Sequence, residues 1–531
     1  MSVQTLTVNY GSKKKKTHEF QLVKVNVKYA INNVPFAELT LSANNESYGC
    51  INGNEAREME YFIPGSEINI SRNGKPLFFG VITERNCTIA RRIKTVTLRA
   101  HHKMQAMRAL FRSQLFNQQN DADILRSIFK DHGVNIGKID GLTAKHPQMV
   151  QFNCFDWQFV RARLSANAVW LLAGPEKITI IKPTLKKTAQ TISGKESEKH
   201  IKIRVSQNNR FMPKRVSVSS WNIEKQEMNP VSVAEPMSLG DKAFNARNLN
   251  TLSQKEWILN HSLALQPQEQ ATWANSRLLA LYGEGIQGEI ETEGNLGYEL
   301  GQTLDFKNFG APLDGRALVT TITHTFSKFE WRTQLVLGSD WLQDLDTGMV
   351  PGIRGIHIGQ VAENKDGPDK NHCLKVTMPI LGKDNKPLQL LARLSIPFAS
   401  NGSGLNLYPE EKDEVVLAFL EDDPRYPIIL GAMHNPINLA PNAELNKGRG
   451  IVIKHDGKTQ YLLLHPDEGI VFKEEKGEDN SKLVLKQGEL LTQSSKKTEI
   501  DAKDLLLKGD NLEIRGANDV LIKGRKVKLN Q

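Results

Sequence analysis

LYPEEKDEVVLAFLEDDPRYPIILGAMHNPINLAP, residues 407–441, is the stretch on which the reading of this chain turns. DEVVLAFLE and YPIILGAMHN read as two short apolar strands, parted by an acidic turn that ends in Asp423-Pro424-Arg425. Upstream, GIHIGQVAE, HCLKVTMPIL and LQLLARLSIPFA have the same texture, with turn clusters such as GKDNKP and NGSG between them. Five antiparallel strands in about ninety residues predict a small Greek-key barrel. An OB-fold is the leading form, and an unrelated five-stranded β domain is the alternative.

Outward towards the N-terminus the pattern is again mostly of strands. QLVKVNVKYA and VPFAELTLSA alternate apolar and polar residues. FIPGSEINISRNGKPLFFGVITE contains a hairpin whose turn is Arg72-Asn73-Gly74-Lys75, because Asn-Gly supplies the positive φ values of a tight turn. Three helices are expected. One covers Asp121–Asp131, with Asp121 as cap and Ile124, Leu125, Ile128 and Phe129 on one face. A second begins near Asp156 and ends at Gly174-Pro175, and a third covers Gln268–Tyr282, stopped by Gly283. Residues 1 to about 345 therefore read as α+β, mainly antiparallel, as barrels with an inserted helical lobe.

Beyond the barrel, hairpin-like strands carry Ile451/Ile453, Leu462/Leu464 and Ile470/Phe472, with a turn at His455-Asp456-Gly457. A weak repeat of apolar pairs follows: Leu505/Leu507, Leu512/Ile514, Val520/Ile522 and Val527/Leu529, with Gly509, Gly516 and Gly524 in the gaps. Each unit is a short strand with one narrow apolar face. A single-chain β-helix needs about three such units per coil, so four units make barely more than one coil. Three chains, each supplying one face, would close a prism with the paired apolar residues on its axis. The alternative is an ordinary sheet packing this strip on the preceding barrel.

The chain has 531 residues, enough for three to four domains at about 150 each. No run of about eighteen apolar residues occurs, which excludes a transmembrane helix, and the lysines near the N-terminus precede no apolar core of a signal peptide. Four scattered cysteines (Cys50, Cys87, Cys154, Cys373) make no CxxC pair, which excludes a disulfide framework and suits a reducing cytoplasm. The net charge of +10 is uneven: residues 1–200 hold 29 basic against 16 acidic residues, and the remainder is slightly acidic. Lys13-Lys14-Lys15-Lys16 reads as a solvated loop tip. With 7% aromatics and no nucleic-acid motif, the charge points away from DNA or RNA.

Catalytic signatures are missing. The sequence has no GxxxxGK[ST] loop, GxSxG elbow or HExxH helix. His101-His102 would point to opposite faces of a strand, one solvated and one in the core. His372-Cys373 has no second ligand pair nearby. Glu421-Asp422-Asp423 lacks the alternate spacing of a calcium loop and reads as an acidic turn. No catalytic residue, cofactor site or metal site is expected.

The segment 407–441 resembles the OB-fold signature of VgrG proteins and of the related contractile-phage spike. Its elements here are Pro409, Asp413-Glu414-Val415, Asp423-Pro424-Arg425, Pro427 and Gly431, with Asn435 and Pro436 opening the exit. VPFAELTL, EYFIPGSEINI and LFFGVITE are similar to the first tail-hub barrel of this family, FNCFDWQFVRARLSANAVWLLAGPEKITIIKP to its helical lobe, and the glycine-punctuated C-terminal strands to its β-prism. The Asp-Glu-Tyr-Gly-Arg-Val motif of many type VI VgrG proteins is absent, replaced by VAENKDGPDKNHCLKVTMPIL. That departure suits the shorter spikes of extracellular tail-like particles and divergent type VI systems. The spacing between barrel and strip leaves no room for the phage lysozyme module, and no effector domain is expected after Gln531.

The resemblance implies a mainly β chain with tandem hub barrels and a helical lobe (1–350, lobe about 115–190), an OB-fold collar (351–440) and an intertwined trimeric β-prism spike (441–531). It implies a homotrimeric central spike of a contractile injection machine, which adapts a sixfold tube to a threefold needle and punctures a target membrane. Leu505, Leu507, Leu512, Ile514, Val520, Ile522, Val527 and Leu529 would form the trimer core. Val527, Lys528, Leu529, Asn530 and Gln531 would bind a PAAR-like tip protein. Inner-tube and baseplate proteins, and effectors, are the other implied partners. The chain would be made in the bacterial cytoplasm without a signal peptide and reach the target surface on a released or cell-anchored particle. The alternatives are a spike-associated cell-wall hydrolase and a carbohydrate-binding tail fibre.

Overall fold

A computed structural model of the chain describes residues 6–528 apart from 44–52, 91–92, 187–188, 196–199, 236, 238, 251–252, 339–347, 363–368, 370 and 443–446. It divides into two compact units, Met1–Met433 and His434–Gln531.

The first unit is organised by one long, mostly antiparallel sheet. In spatial order its strands are Leu6–Tyr10, Glu67–Arg72, Lys75–Ala90, Ile93–His101, Phe36–Ala43 and Phe20–Ala30. Then come Gly315–Ser327, Trp331–Leu337, Ile286–Glu293 and His200–Gln207, with Thr303–Lys307 and Gln190–Ser193 joined beside Gly315–Ser327. Period-two alternation makes this possible: Val25, Val27 and Tyr29 point inward while Lys24 and Lys28 stay exposed. The predicted Asn73-Gly74 turn is present, with φ of 48° and 74° and Arg72 opposite Lys75. The two expected β halves appear as two cores along this one sheet. Phe20, Leu39, Phe62, Ile68 and Phe78 fill the first, and Phe306, Val319, Ile322 and Leu335 fill the second. Phe20–Ala30 pairs with Gly315–Ser327, from Lys24 opposite Ser327 to Ala30 opposite Thr321, and so joins the halves.

A lobe inserted between them holds helices α2 (Asp121–Asp131) and α3 (Asp156–Ala166); a shorter helix, α1, covers Gly53–Met59. The α2 bounds match the reading, but its cap differs. Asn120 accepts from the Asp123 N–H at 2.9 Å, and Asp121 is turned inward and fully buried. Helix α3 ends at Ala166, well before Gly174. Trp170–Ala173 is a strand, paired with Ile178–Ile181, which in turn pairs with Ile136–Ile139. A short apolar run has no decisive period, and tertiary pairing decided this one. Helix α4 (Pro267–Gly285) starts with proline at its first turn and runs two residues past Gly283.

The five strands read from sequence form a closed barrel: His357–Val361, Cys373–Leu381, Pro387–Leu394, Pro427–Met433 and Glu414–Phe419. Its core of Leu374, Val376, Leu390, Leu417 and Ile429 also takes in Val150 and Phe152, which lie on the lobe strand Lys145–Phe155. The barrel thus completes its interior with side chains from some two hundred residues upstream.

The second unit contains a five-stranded antiparallel meander: Arg449–His455, Lys458–His465, Gly469–Lys476, Asp479–Lys486 and Glu489–Ser494. Residues 495–528 carry no strand. The expected short strands at 505–527 are therefore not paired within a single chain, since a strand exists only where its backbone groups find a ladder partner.

Candidate functional site

The acidic turn of the barrel is a docking element. Glu421 and Asp422 both adopt left-handed backbone, φ 51° and 59°, which non-glycine residues adopt at a cost of order 1 kcal/mol each. Docking holds the turn in place. The Glu421 carboxylate accepts from the Ser262 N–H and hydroxyl and pairs with His261 Nδ1 at 2.8 Å, while the Asp422 carbonyl accepts from Ile353 N–H at 2.7 Å. Burial raises the Glu421 pKa, but hydrogen bonds from His261 and Ser262 outweigh that and leave it below its ordinary value.

Asp423 and Arg425 follow, 5% and 6% exposed. Arg425 donates Nε and Nη2 to the two Asp423 oxygens at 3.0 and 2.7 Å, and Nη1 to Glu269 in the first turn of α4. Beside them Arg163 of α3 grips Asp121 with Nε and Nη2 at 2.7 and 2.8 Å and donates Nη1 to the Met349 carbonyl at 2.7 Å. Its Nη2 lies 3.9 Å from Glu269, so the two pairs form one buried cluster. His146 and Asn167 complete the shell of Asp121 at 3.0 and 2.9 Å. Burial alone would push both carboxyl groups up. Arg163 instead holds Asp121 well below the carboxylate range, and Arg425 followed by Arg163 lowers Glu269. Burial likewise opposes the Arg425 charge, but Asp423 and Glu269 outweigh it and raise its pKa. Gln148 adds a neutral bridge, donating to the Arg425 carbonyl and accepting from Leu391 N–H. This arrangement clasps the barrel to the lobe and α4. Among the described residues no group of His, Cys, Asp or Glu is arranged to hold a metal.

The second unit offers a different surface. Two cross-strand rows, Ile451–Leu462–Phe472–Leu483 and Leu464–Ile470–Leu485–Leu490, stand on one face of the meander. Apart from half-buried Leu483, these residues and Ile453 are 37–67% exposed, while the opposite face carries the small core of Leu463, Val471 and Val484. Further on, Leu505, Leu507, Leu512, Ile514, Val520, Ile522 and Val527 are 49–64% exposed. Large apolar side chains exposed in rows of this kind are unusual on a protein surface and are characteristic of interaction sites.

Residues 1–328, more than half of the chain, match the family described as the Alg8 N-terminal domain. The chain belongs to the Alg8 N-terminal domain family. This Alg8-type chain also matches, over residues 357–434, the type VI secretion system/phage-baseplate injector OB domain, the range of the closed barrel. Among solved structures, a chain of the lidless PdpA–VgrG complex aligns with TM-score 0.58 and 10% identity, over 92% of this chain and 98% of its own. The half-lidded Francisella PdpA–VgrG complex gives 0.57 at 10% identity, over 92% and 87%. The E. coli c3393 protein, a type VI secretion component similar to the T4 tail proteins gp27 and gp5, gives 0.52 at 12% identity, over 81% and 99%. No curated protein sequence matches. At these identities the matches show the fold, and the resemblance to VgrG and phage hub-and-spike proteins holds at that level.

In this Alg8-type chain the barrel signature residues do not form one group. Val415 is in the barrel core, Asp413 accepts from Glu410 N–H at 2.8 Å, Glu414 pairs with Gln360 and Met433 across strands, and Pro427 opens a strand. Gly431 has open space where a Cβ would stand, so packing within the chain does not demand glycine. Only Asp423, Pro424 and Arg425 are buried at the clasp turn. Their partners Glu269, Arg163, Asp121 and His146 were not singled out from sequence as site residues. The Ile451–Leu490 face was half visible, since its n, n+2 pairs were legible but not counted with the later strip. Of the expected tip-binding residues, Val527 and Lys528 are exposed; Leu529, Asn530 and Gln531 lie outside the described residues.

Proposed function

We propose that the chain is the homotrimeric hub and central spike of a contractile injection machine, with Met1–Met433 as hub and collar and His434–Gln531 as needle. The observation that carries this reading is the uncovered apolar face of the needle, Ile451 through Leu490, continued by Leu505 through Val527. Three copies meeting along that face would bury it, at about 1 kcal/mol for the exposed half of each large side chain. Sheet edges and the unpaired backbone of 495–528 would find ladder partners in neighbouring chains.

The work is mechanical. Sheath contraction supplies the energy, and the spike resists unfolding while it punctures a membrane. Load passes from the sheet-built hub through the buried clasp into the collar, and then to strands shared among three chains. Val527–Gln531 would seat a PAAR-like tip, hub surfaces would meet tube and baseplate proteins, and effectors would travel as cargo. The structural neighbours are tail and spike components, which supports a non-enzymatic role. Among the described residues no helix is long and apolar enough to cross a membrane. The proposal is tested in the host. Deleting the gene should abolish assembled particles or leave them without a tip in electron micrographs, and normal particles with intact tips would contradict it.

A further inference from the structure

Between the barrel strands Pro387–Leu394 and Glu414–Phe419 the chain runs out into a small hairpin, in which Ala399–Ser400 pairs with Ser403–Gly404 across an Asn401-Gly402 turn. Leu405 N–H donates to the Phe398 carbonyl at 2.9 Å, which sets the two residues opposite each other. Every residue in 397–408 is exposed, and Phe398, Leu405, Leu407 and Tyr408 are so at 41–54%. Residues 394–409 contain no charged side chain. A two-stranded hairpin standing alone in water is marginally stable. An uncharged arm with four large apolar side chains and nothing of its own chain beneath it is stabilised by lying on another surface.

The outside of the same barrel carries an uncharged row. Ile358 stands opposite Val416, and Val416 opposite Gly431, across the strands His357–Val361, Glu414–Phe419 and Pro427–Met433. Ile358 is 42% exposed, and Leu430, bulged out of the ladder beside Gly431, is 50% exposed. Glycine inside a strand costs order and packing, and its two usual reasons are missing here. The Gly431 backbone is not left-handed, and no described atom lies within 4 Å of where its Cβ would stand. The reason that remains is close approach from outside the chain, for which glycine leaves a slot beside Val416 and Leu430.

We propose that the arm 397–408 of one copy lies across the Ile358–Val416–Gly431 row of a second copy. The proposal rests on the trimer reading and adds to it the contact that joins the collars. An arm-into-slot contact is heterologous: each copy gives one arm and receives another, and a threefold rotation closes the set with no arm or slot left over. Neither the arm nor the row has a charge to desolvate, so apolar side chains meet apolar side chains without that cost. The slot strand ends at Met433, immediately before the unit that three chains would close, so the collars of three copies are tethered to one another. Tethering raises their effective concentration, and a contact as small as one arm then suffices. A free partner protein would need a larger surface to stay bound.

Cross-linking of the full-length protein tests it. The variant Leu405→Cys/Ile358→Cys, treated with a short bismaleimide, should give covalent trimers on a denaturing gel. Either single variant should give none, which also controls for the native Cys87 and Cys373. Adding Gly431→Trp to the cysteine pair fills the slot without a clash inside the chain and should suppress the covalent trimers. Adding Phe398→Asp instead should cut their yield by about tenfold, because a carboxylate would be buried in an apolar contact. Light scattering of the untreated parent separates the two readings. A parent trimer whose cysteine pair links only within single chains, or no better than the single variants, refutes the arm contact alone. A yield unchanged by Gly431→Trp overturns it as well. A monomeric parent refutes the trimer reading and the arm contact with it.

Discussion

Replacing Arg425 with methionine removes the cation between Asp423 and Glu269, both of which are buried. Methionine fills much of the volume, so the change is mainly electrostatic. Two carboxylates then share the site with no cation nearer than Arg163, whose Nη2 is 3.9 Å from Glu269. Breaking a buried pair in this way costs about 3–5 kcal/mol. Urea unfolding followed by tryptophan fluorescence should report that loss at neutral pH, and hydrogen exchange should locate it at Leu420–Met433 and the start of α4. The pH dependence has a definite sign. In the parent, Asp121 and Glu269 are held below the ordinary carboxylate range, so the unfolded chain binds more protons than the folded one. The stability they contribute is complete above about pH 5, beyond the unfolded carboxyl values, and lost as pH falls through their folded values. In the variant, burial without Arg425 drives Glu269 upward, and mild acid relieves the penalty by protonating it. The deficit should therefore be smaller at about pH 5 than at pH 7. A loss under about 1 kcal/mol, or a deficit equal at both pH values, would refute the clasp as argued.

Phe472→Asp places a carboxylate in a cross-strand row of the uncovered needle face, and Ile514→Asp or Ile522→Asp does the same in the following strip; each should disrupt trimer assembly in light scattering while the hub stays folded. Phe152→Ala, although on a lobe strand, should loosen the barrel by about 3–5 kcal/mol, visible as faster hydrogen exchange at Leu390 and Ile429. Gly469 has φ +82° and would bring a Cβ within 2.1 Å of the Leu485 carbonyl, so Gly469→Ala should part Gly469–Lys476 from Asp479–Lys486 and lower the needle's melting temperature.

Much of the fold was legible because it is written in local pattern. The five barrel strands, the Asn73-Gly74 turn and α2 follow from alternation, turn chemistry and a helical face, all contained within a dozen residues. What was not legible depends on partners far along the chain. Glu269 meets Arg425 across 156 positions, and Arg163 meets Asp121 across 42, with no spacing rule to announce either. Asp121 looked like a cap because it precedes an apolar helical face, but Asn120 caps equally well and leaves Asp121 for the ionic cluster. Trp170–Ala173 looked helical for want of a decisive period. The strip from Leu505 to Val527 shows a limit of another kind: its strand-like pattern finds no ladder partner within the chain, and nothing in the local pattern says what would supply one.

The central claim is that three copies of this chain close one needle. Light scattering of the purified full-length protein behind size-exclusion chromatography tests it most directly. The account predicts a single species of three times 59.6 kDa that persists on dilution; a stable, well-folded monomer of 59.6 kDa would contradict it.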